Sequence, residues 1–242
     1  MQKPITCNIL GTDIAVTNME ETISLLEHYR DELRGQYICV SNVHTTVLAY
    51  EDEAYRNVQR NAALCLPDGK PLSVYSKKHG FPNAERVTGP DLMGELFSRS
   101  NGLRHYFYGG TQETIAILSS RLPKQYPQLQ IAGMVSPPFR PLTKEEDEAE
   151  IQKMNDSHAD IIWVGLGAPK QENWMYQHKG RVNSVMIGVG AGFDYHAGTI
   201  KRAPLWMQKA SLEWLYRLLQ DPKRLFRRYL RTNLKFLWLT RK

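Results

Sequence analysis

Cysteine is scarce in this chain of 242 residues, and the three present, Cys7, Cys39 and Cys65, form no CxxC pair. That excludes a disulfide-framed module and a thiolate zinc site, and it fits a reducing compartment. Long apolar runs are missing too. No stretch approaches the roughly 18–20 residues needed to span a bilayer, and the opening MQKPITCNILG lacks the apolar core of a signal peptide. The common catalytic signatures are also absent. There is no GxSxG for a serine hydrolase, no HExxH or HxxxH, no complete P-loop and no DxD to chelate a metal with a nucleotide sugar. No cofactor and no metal site are expected. No internal repeat or low-complexity linker divides the chain.

Negative charge is scarce in one place only. The formal net charge is +6, but from Ile200 onward 12 Lys and Arg face only Glu213 and Asp221, a net of +10, while the rest carries −4. A nearly neutral body therefore has a basic tail. Such asymmetry points to a polyanion: nucleic acid, an anionic membrane surface or a phosphorylated ligand.

The body alternates apolar runs with small-residue loops and helical patterns. QYICVSNVHTTVLAYED, HYFYGGTQETIAILSSRL, QLQIAGMVSPPF, ADIIWVGLGAPKQENWMYQH and NSVMIGVGAGFDYHAG follow this plan. The runs are β-branched, aromatic and apolar on consecutive positions, which suits strands buried on both faces of a parallel sheet. The class predicted is α/β, a Rossmann-like parallel-sheet core over residues 1–200 with a basic helical appendage over 201–242. An early helix in NMEETISLLEHYRDEL has Asn18 as its cap and Glu21 three residues on. In the tail, PLWMQKASLEWLYRLLQ and DPKRLFRRYLRTNLKFLWL read as two helices, the second with Asp221 at its N-cap and Pro222 at its first position. Phe226, Tyr229, Leu230, Asn233 and Leu237 share one face of it. Arg224, Arg227, Arg228, Arg231 and Lys235 fall opposite. Such a helix suits a membrane interface, with Trp206, Trp214 and Trp238 as anchors, or packs on the body with a solvated basic face.

Several loops follow strands, where open parallel sheets bind ligands. YGGTQET sets Gly109, Gly110 and Thr111 before a helix, where N–H groups favour phosphate. GLGAPKQE has Gly165 and Gly167, but Lys170 stands where a dinucleotide fingerprint has its third glycine. GVGAGFDYHAGTIKRAP brings Gly188, Gly190 and Gly192 before Asp194, Tyr195 and His196, then Lys201 and Arg202. Each loop alone reads equally as a tight packing turn. In CVSNVHTTVL, Asn42, His44, Thr45 and Thr46 follow a strand, and Asn and Thr can hold sugar hydroxyls. In LCLPDGKPL, Asp68 is either a turn residue or a carboxylate held at the lip of a site.

NVHT, PDGKPL, RVTGPDL, YFYGG, VGLGAPKQE and GVGAGFDYHAGTIKRAP, in this order and spacing from about Cys7 to Leu239, resemble the WecG/TagA/CpsF glycosyltransferases, glycosyltransferase family 26. The resemblance implies an inverting, metal-independent enzyme that moves a hexose from a UDP-sugar to a polyprenyl-diphosphate-linked saccharide in bacterial surface-polysaccharide synthesis. It implies Asp68 as catalytic base, with Asn42, Thr45 and Gln171 at the sugars. Val40 stands where some relatives have Thr, and Thr45 is the substitute considered for that hydroxyl. UDP is expected on Gly109, Gly110, Gly167, Gly190, Gly192 and Asp194, with Lys201 and Arg202 neutralising its diphosphate. Arg217, Arg224, Arg227, Arg228 and Arg231 are expected at the lipid diphosphate and an anionic membrane surface. The implied location is peripheral, on the cytoplasmic face of the bacterial plasma membrane, without a nucleic-acid partner; self-association stays open. N-acetylmannosamine is the first donor sugar considered, with its uronic acid, glucose and galactose as alternatives. A nucleotide-binding oxidoreductase is the rival class, weakened by the missing third glycine. A nucleic-acid module is weakened by the apolar residues beside the tail's bases.

Overall fold

The computed structural model describes residues 4–99, 102–204, 206–207, 210 and 212–241; the side chains of Arg224 and Arg228 lie outside the described residues. The chain opens with an antiparallel hairpin, β1 (Thr6–Ile9) and β2 (Thr12–Ala15). Leu10 and Gly11 form its turn, both with positive φ (52° and 87°), the pair of left-handed residues that matches the twist of two short strands.

Six parallel strands follow: β3 (Tyr37–Ser41), β4 (Leu64–Pro67), β5 (Arg104–Gly109), β6 (Gln130–Val135), β7 (Ile161–Gly165) and β8 (Val185–Gly188). They lie in the order β4-β3-β8-β7-β5-β6. The consecutive apolar runs are buried on both faces as expected in β3, β5, β7 and β8, whereas β6, at the sheet edge, is only part-buried. Along β3, Tyr37 and Cys39 enter one core while Ile38 and Val40 enter the other; along β7, Ile162 and Val164 separate from Ile161 and Trp163 in the same way. Period-2 alternation thus feeds two layers instead of one layer and solvent.

The first core is closed by α1 (Met19–His28), α5 (Gly89–Ser98), α6 (Gln112–Gln125) and α9 (Gly192–Ala197). Asn18 caps α1 as its sequence indicated, accepting from Glu21 N at 2.9 Å. The other core is closed by the hairpin, α2 (Val43–Glu51), α3 (Glu53–Arg60), α4 (Lys70–Lys78), α7 (Lys144–Asp156) and α8 (Lys170–His178). Trp163 is fully buried in the first core, and its indole N–H donates to His105 Nδ1 at 3.1 Å. Burial pushes the His105 ring down to about 4, so it stays neutral and its Nδ1 can accept.

After the sheet come α10 (Glu213–Gln220) and α11 (Pro222–Leu239), with Asp221 at the N-cap position of α11. The two sides of α11 differ. Leu225, Thr232 and Phe236 are buried, and Phe236 belongs to the second core. Arg231 and Lys235 pair with Glu51 of α2 at 2.9 and 2.5 Å. Lys235 above all, with Arg231, holds the Glu51 carboxyl below its usual range. No described helix is long and apolar enough to cross a membrane.

Candidate active site

The carboxyl ends of β3 and β4 carry one half of the site. Asn42 directly follows β3 and caps α2, its Oδ1 accepting from His44 N (3.0 Å) and Thr45 N (3.2 Å). Thr45 completes the capping box: its Oγ1 accepts from Asn42 N at 2.8 Å and donates to Asn42 O at 3.0 Å. The Thr45 hydroxyl is thereby engaged, and the residue is 1 % exposed. Because the Asn42 oxygen is fixed by the cap, its amide N–H groups are what it presents outward.

Asp68 stands beside it. The Asp68 N–H donates to Ser41 O at 2.7 Å, which extends the β3–β4 ladder by one bond. Gly69 follows with φ +97°, a left-handed conformation that lets the chain turn at once into α4. That helix has no side-chain cap, so the Asp68 carboxyl is not engaged as one. It keeps partial contact with solvent, yet protein surrounds it closely. This burial, with Glu213 and to a smaller degree Asp91 adding negative charge, pushes the carboxyl up to about 7. Arg86 and a hydrogen bond with the Asn42 side chain oppose the rise. An acid titrating near neutrality can exchange a proton at physiological pH.

A charged ring borders Asp68. Thr88 caps α5 and donates to Asp91 Oδ2 at 2.6 Å. Asp91 forms a two-pronged pair with Arg202. Glu213 of α10 reaches Arg86 at 2.7 Å and Arg202 at 3.6 Å. Arg202 therefore faces Asp91 and Glu213. Lys201 is exposed and its backbone pairs with the Gln220 side chain. Neither of these expected diphosphate partners lines the cleft described next.

The ends of β5, β7 and β8 carry the other half. A cleft of about 320 Å³ is lined by Gly110, Gly167, Gly190 and Asp194, four residues expected there, together with Thr111, Leu166 and Ala191. Two cations also line it, Lys170 at the start of α8 and Arg217 from α10. Tyr195 aligns the second, with the Arg217 and Arg202 guanidiniums 5.8 and 5.7 Å from its ring centre. The cleft runs on into a shallower one of about 440 Å³ walled by Gln112, Ser136 and the segment Pro137–Pro138–Phe139. Phe139 is 92 % exposed there.

Gly109 and Gly192 do not line the cleft. A side chain at Gly109 would meet the Gly165 backbone at 2.5 Å, and one at Gly192 would meet Met93 Sδ at 2.7 Å, so both serve close packing. Gln171 is turned inward, its Oε1 accepting from Gly190 N at 3.0 Å and its Nε2 donating to Glu172 at 2.7 Å. His196 packs on Phe97 and bonds to Pro90 O. Among the described residues no three His, Cys, Asp or Glu side chains are grouped to hold a metal ion. Sequence reading missed Lys170 as a cleft cation, having registered it only as a glycine out of place. Its position just after a Gly-rich loop, at a helix start, was the available signal. Arg217, expected at the lipid, lies at this cleft.

On α11, Phe226, Leu230, Leu234, Leu237 and Trp238 form a solvent-exposed apolar stripe, with Arg227 exposed beside them. Tyr229 is only part-exposed and sits toward the packed side, 6.2 Å from Trp214 between ring centres. Arg231 is exposed but paired with Glu51. The positions of Arg224 and Arg228 fall within α11, their side chains outside the described residues.

The sequence model of the Glycosyl transferase WecG/TagA/CpsF family matches residues 7–242. The chain is 31% identical over 217 residues to the N-acetylglucosaminyldiphosphoundecaprenol N-acetyl-beta-D-mannosaminyltransferase of Bacillus spizizenii, covering 88% of this chain and 82% of the relative. It is 30% identical over 212 residues to the enzyme of the same name in Bacillus subtilis, with 86% and 81% covered. The Staphylococcus aureus enzyme of that name is 29% identical over 225 residues, with 91% and 87% covered.

Proposed function

We propose, for a chain that belongs to the WecG/TagA/CpsF glycosyltransferase family, that it transfers N-acetylmannosamine from a UDP-sugar to N-acetylglucosamine on a polyprenyl diphosphate. The donor and acceptor follow the relatives' names. The observation that carries the mechanism is the Asp68 carboxyl, uncommitted to a helix cap and titrating near 7 at the carboxyl edge that also bears the cationic cleft.

UDP occupies the cleft in this reading. Lys170, Arg217 and backbone N–H groups beside Gly110 and Gly167 offset the diphosphate charge without a metal. The uridine extends toward Phe139, whose exposed ring offers a stacking surface. The acceptor hydroxyl approaches from the Asp68 side. Ionised Asp68 takes its proton as the oxygen bonds to the anomeric carbon. The bond to the UDP oxygen breaks, and the electron pair leaves with UDP. Attack opposite the leaving group inverts the anomeric configuration. Asn42, hydrogen-bonded to Asp68, orients the carboxylate.

The acceptor is anchored in a membrane, and the α11 stripe supplies the means of reaching it. Phe226, Leu230, Leu234, Leu237 and Trp238 enter the interface, and Arg227 faces anionic headgroups. The protein then works as a peripheral enzyme on the cytoplasmic face, where UDP-sugars are made.

The test is a panel of UDP-hexoses with a polyprenyl-diphosphate N-acetylglucosamine acceptor, read by mass. Transfer of N-acetylhexosamine from UDP-N-acetylmannosamine alone is the expected result. Transfer from UDP-glucose or another hexose instead would overturn the donor assignment, and no transfer from any donor would overturn the reaction.

A further inference from the structure

Behind the cleft, on the side of the sheet covered by α3 and α8, buried polar side chains run from one half of the site to the other. Ser41, whose carbonyl holds the Asp68 N–H, donates through Oγ to Gln59 Oε1 at 2.7 Å. Gln59 Nε2 donates to the Tyr55 hydroxyl at 2.9 Å. Tyr55 faces the carboxyl of Glu172. Gln171 Nε2 donates to Glu172 Oε1 at 2.7 Å, and Gln171 Oε1 accepts from Gly190 N at 3.0 Å. Ser41, Tyr55, Gln59, Gln171 and Glu172 are all buried.

Glu172 is the unexpected member. It is 1 % exposed, and among the described residues its Oε2 makes no hydrogen bond of ordinary length, Tyr55 being the polar group that faces the carboxyl. An acid in that setting is costly, and an apolar side chain of similar size would pack at less expense. What the acid adds is a fixed acceptor. The Gln171 carboxamide could be seated either way round. With its N–H toward Glu172, its oxygen must face Gly190. Reversed, it would set an NH2 group against the Gly190 N–H and an oxygen against the Glu172 oxygen, two repulsive contacts. Gly188, at the end of β8, leaves the space for this: a Cβ there would stand 3.0 Å from Gln171 Nε2. Burial raises the Glu172 carboxyl, and the hydrogen bond from Gln171 opposes that rise.

We propose that Glu172 is a positioning residue for the donor cleft: by accepting from Gln171 it turns the Gln171 oxygen onto the Gly190 N–H and helps hold the Val189–Gly190 peptide at the cleft wall. Gly190 has φ +55°, and its peptide with Val189 is held at both ends, the N–H by Gln171 Oε1 and the Val189 carbonyl by Gly192 N at 3.0 Å. The inference rests on the reading of the cleft as the UDP site.

The test compares full-length Glu172→Gln and Glu172→Leu with wild type, by UDP calorimetry, thermal melting and steady-state kinetics. Glu172→Gln keeps an acceptor oxygen and is expected within about threefold of wild type in UDP affinity. Glu172→Leu is expected to lose about tenfold, the effect of one misdirected buried hydrogen bond. Its KM for the UDP-sugar should rise in parallel while kcat and the acceptor KM move less than about threefold, a split that general loosening would not give. Should Glu172→Leu not fold, Gln171→Met removes the same acceptor for Gly190 and carries the same expectation. UDP affinity at the wild-type level in the folded Leu or Met variant overturns the proposal, as does a loss in Glu172→Gln equal to that in Glu172→Leu. A wild-type chain that binds no UDP would instead overturn the reading of the cleft.

Discussion

Arg86 Nη1 stands 2.7 Å from Glu213 Oε2, an ion pair that ties the segment before α5 to α10 of the appendage. Both partners act on Asp68, in opposite senses. After burial, Glu213 is the larger influence raising its carboxyl, and Arg86 is the main one lowering it. The appendage therefore contributes charge to the proposed base as well as surface.

This predicts the pH profile. A base must be ionised, so kcat/KM should fall as pH drops through about 7. Glu213→Gln removes a negative neighbour and should move that limb to lower pH. Arg86→Met removes a positive one and should move it higher. Limbs that stay put in both variants would separate the profile from Asp68.

Asp68→Asn should lower turnover by about 10²–10⁴ with UDP affinity retained. It should also stabilise the protein in a defined window. The carboxyl is raised on folding, from 3.8 to about 7. Between those values the folded state holds more protons than the unfolded one, so wild-type stability declines as pH rises through the window. Asn cannot ionise. The variant's Tm should match wild type near pH 4 and exceed it at pH 8, each kcal/mol appearing as about 2–4 °C in a chain of this size. A lower Tm at pH 8 would contradict the buried-acid account.

Lys170→Ala and Arg217→Ala should each weaken UDP binding by about tenfold, as expected for a charge-assisted contact to phosphate. Lys201→Ala should leave it within about twofold, because Lys201 does not line the cleft. Activity should persist in EDTA. A complete loss that Mg²⁺ or Mn²⁺ restores would show that the two cations do not suffice.

The membrane reading separates cleanly from folding, because α11 has two sides. Leu230→Glu with Leu234→Glu should abolish binding to vesicles containing anionic lipid and leave Tm and UDP affinity unchanged, since both side chains are exposed. Arg227→Glu should weaken binding and flatten its salt dependence, each basic residue near the surface contributing about 1 kcal/mol. Phe236→Ala, on the packed side, should destabilise by about 3–5 kcal/mol. Unaltered vesicle binding in the double-Glu variant would remove the stripe from the interface.

Sequence alone determined the α/β class, and it did so through strands whose consecutive apolar residues can only be buried on both faces. Five of the six sheet strands are legible as such apolar runs, of which β6, at the sheet edge, is only part-buried. The second of the six in chain order, Leu64–Pro67, is not, because four residues before a turn carry too little periodicity. The order of motifs likewise determined the family and singled out Asp68, Asn42 and the glycine loops. Local chemistry could not decide what each side chain faces, because those partners come from distant segments. Thr45 lies beside Asn42 in sequence and closes its cap, whereas Lys170 lies some sixty positions from Gly110 and shares its cleft. Arg202 and Arg217 are both cations of the tail. Only packing sent the first to Asp91 and the second to the cleft. The same holds for α11, whose helical wheel gives an apolar and a basic edge. Which edge meets the body depended on Glu51 and a gap sized for Phe236, and these exist only once α2 has packed on the sheet.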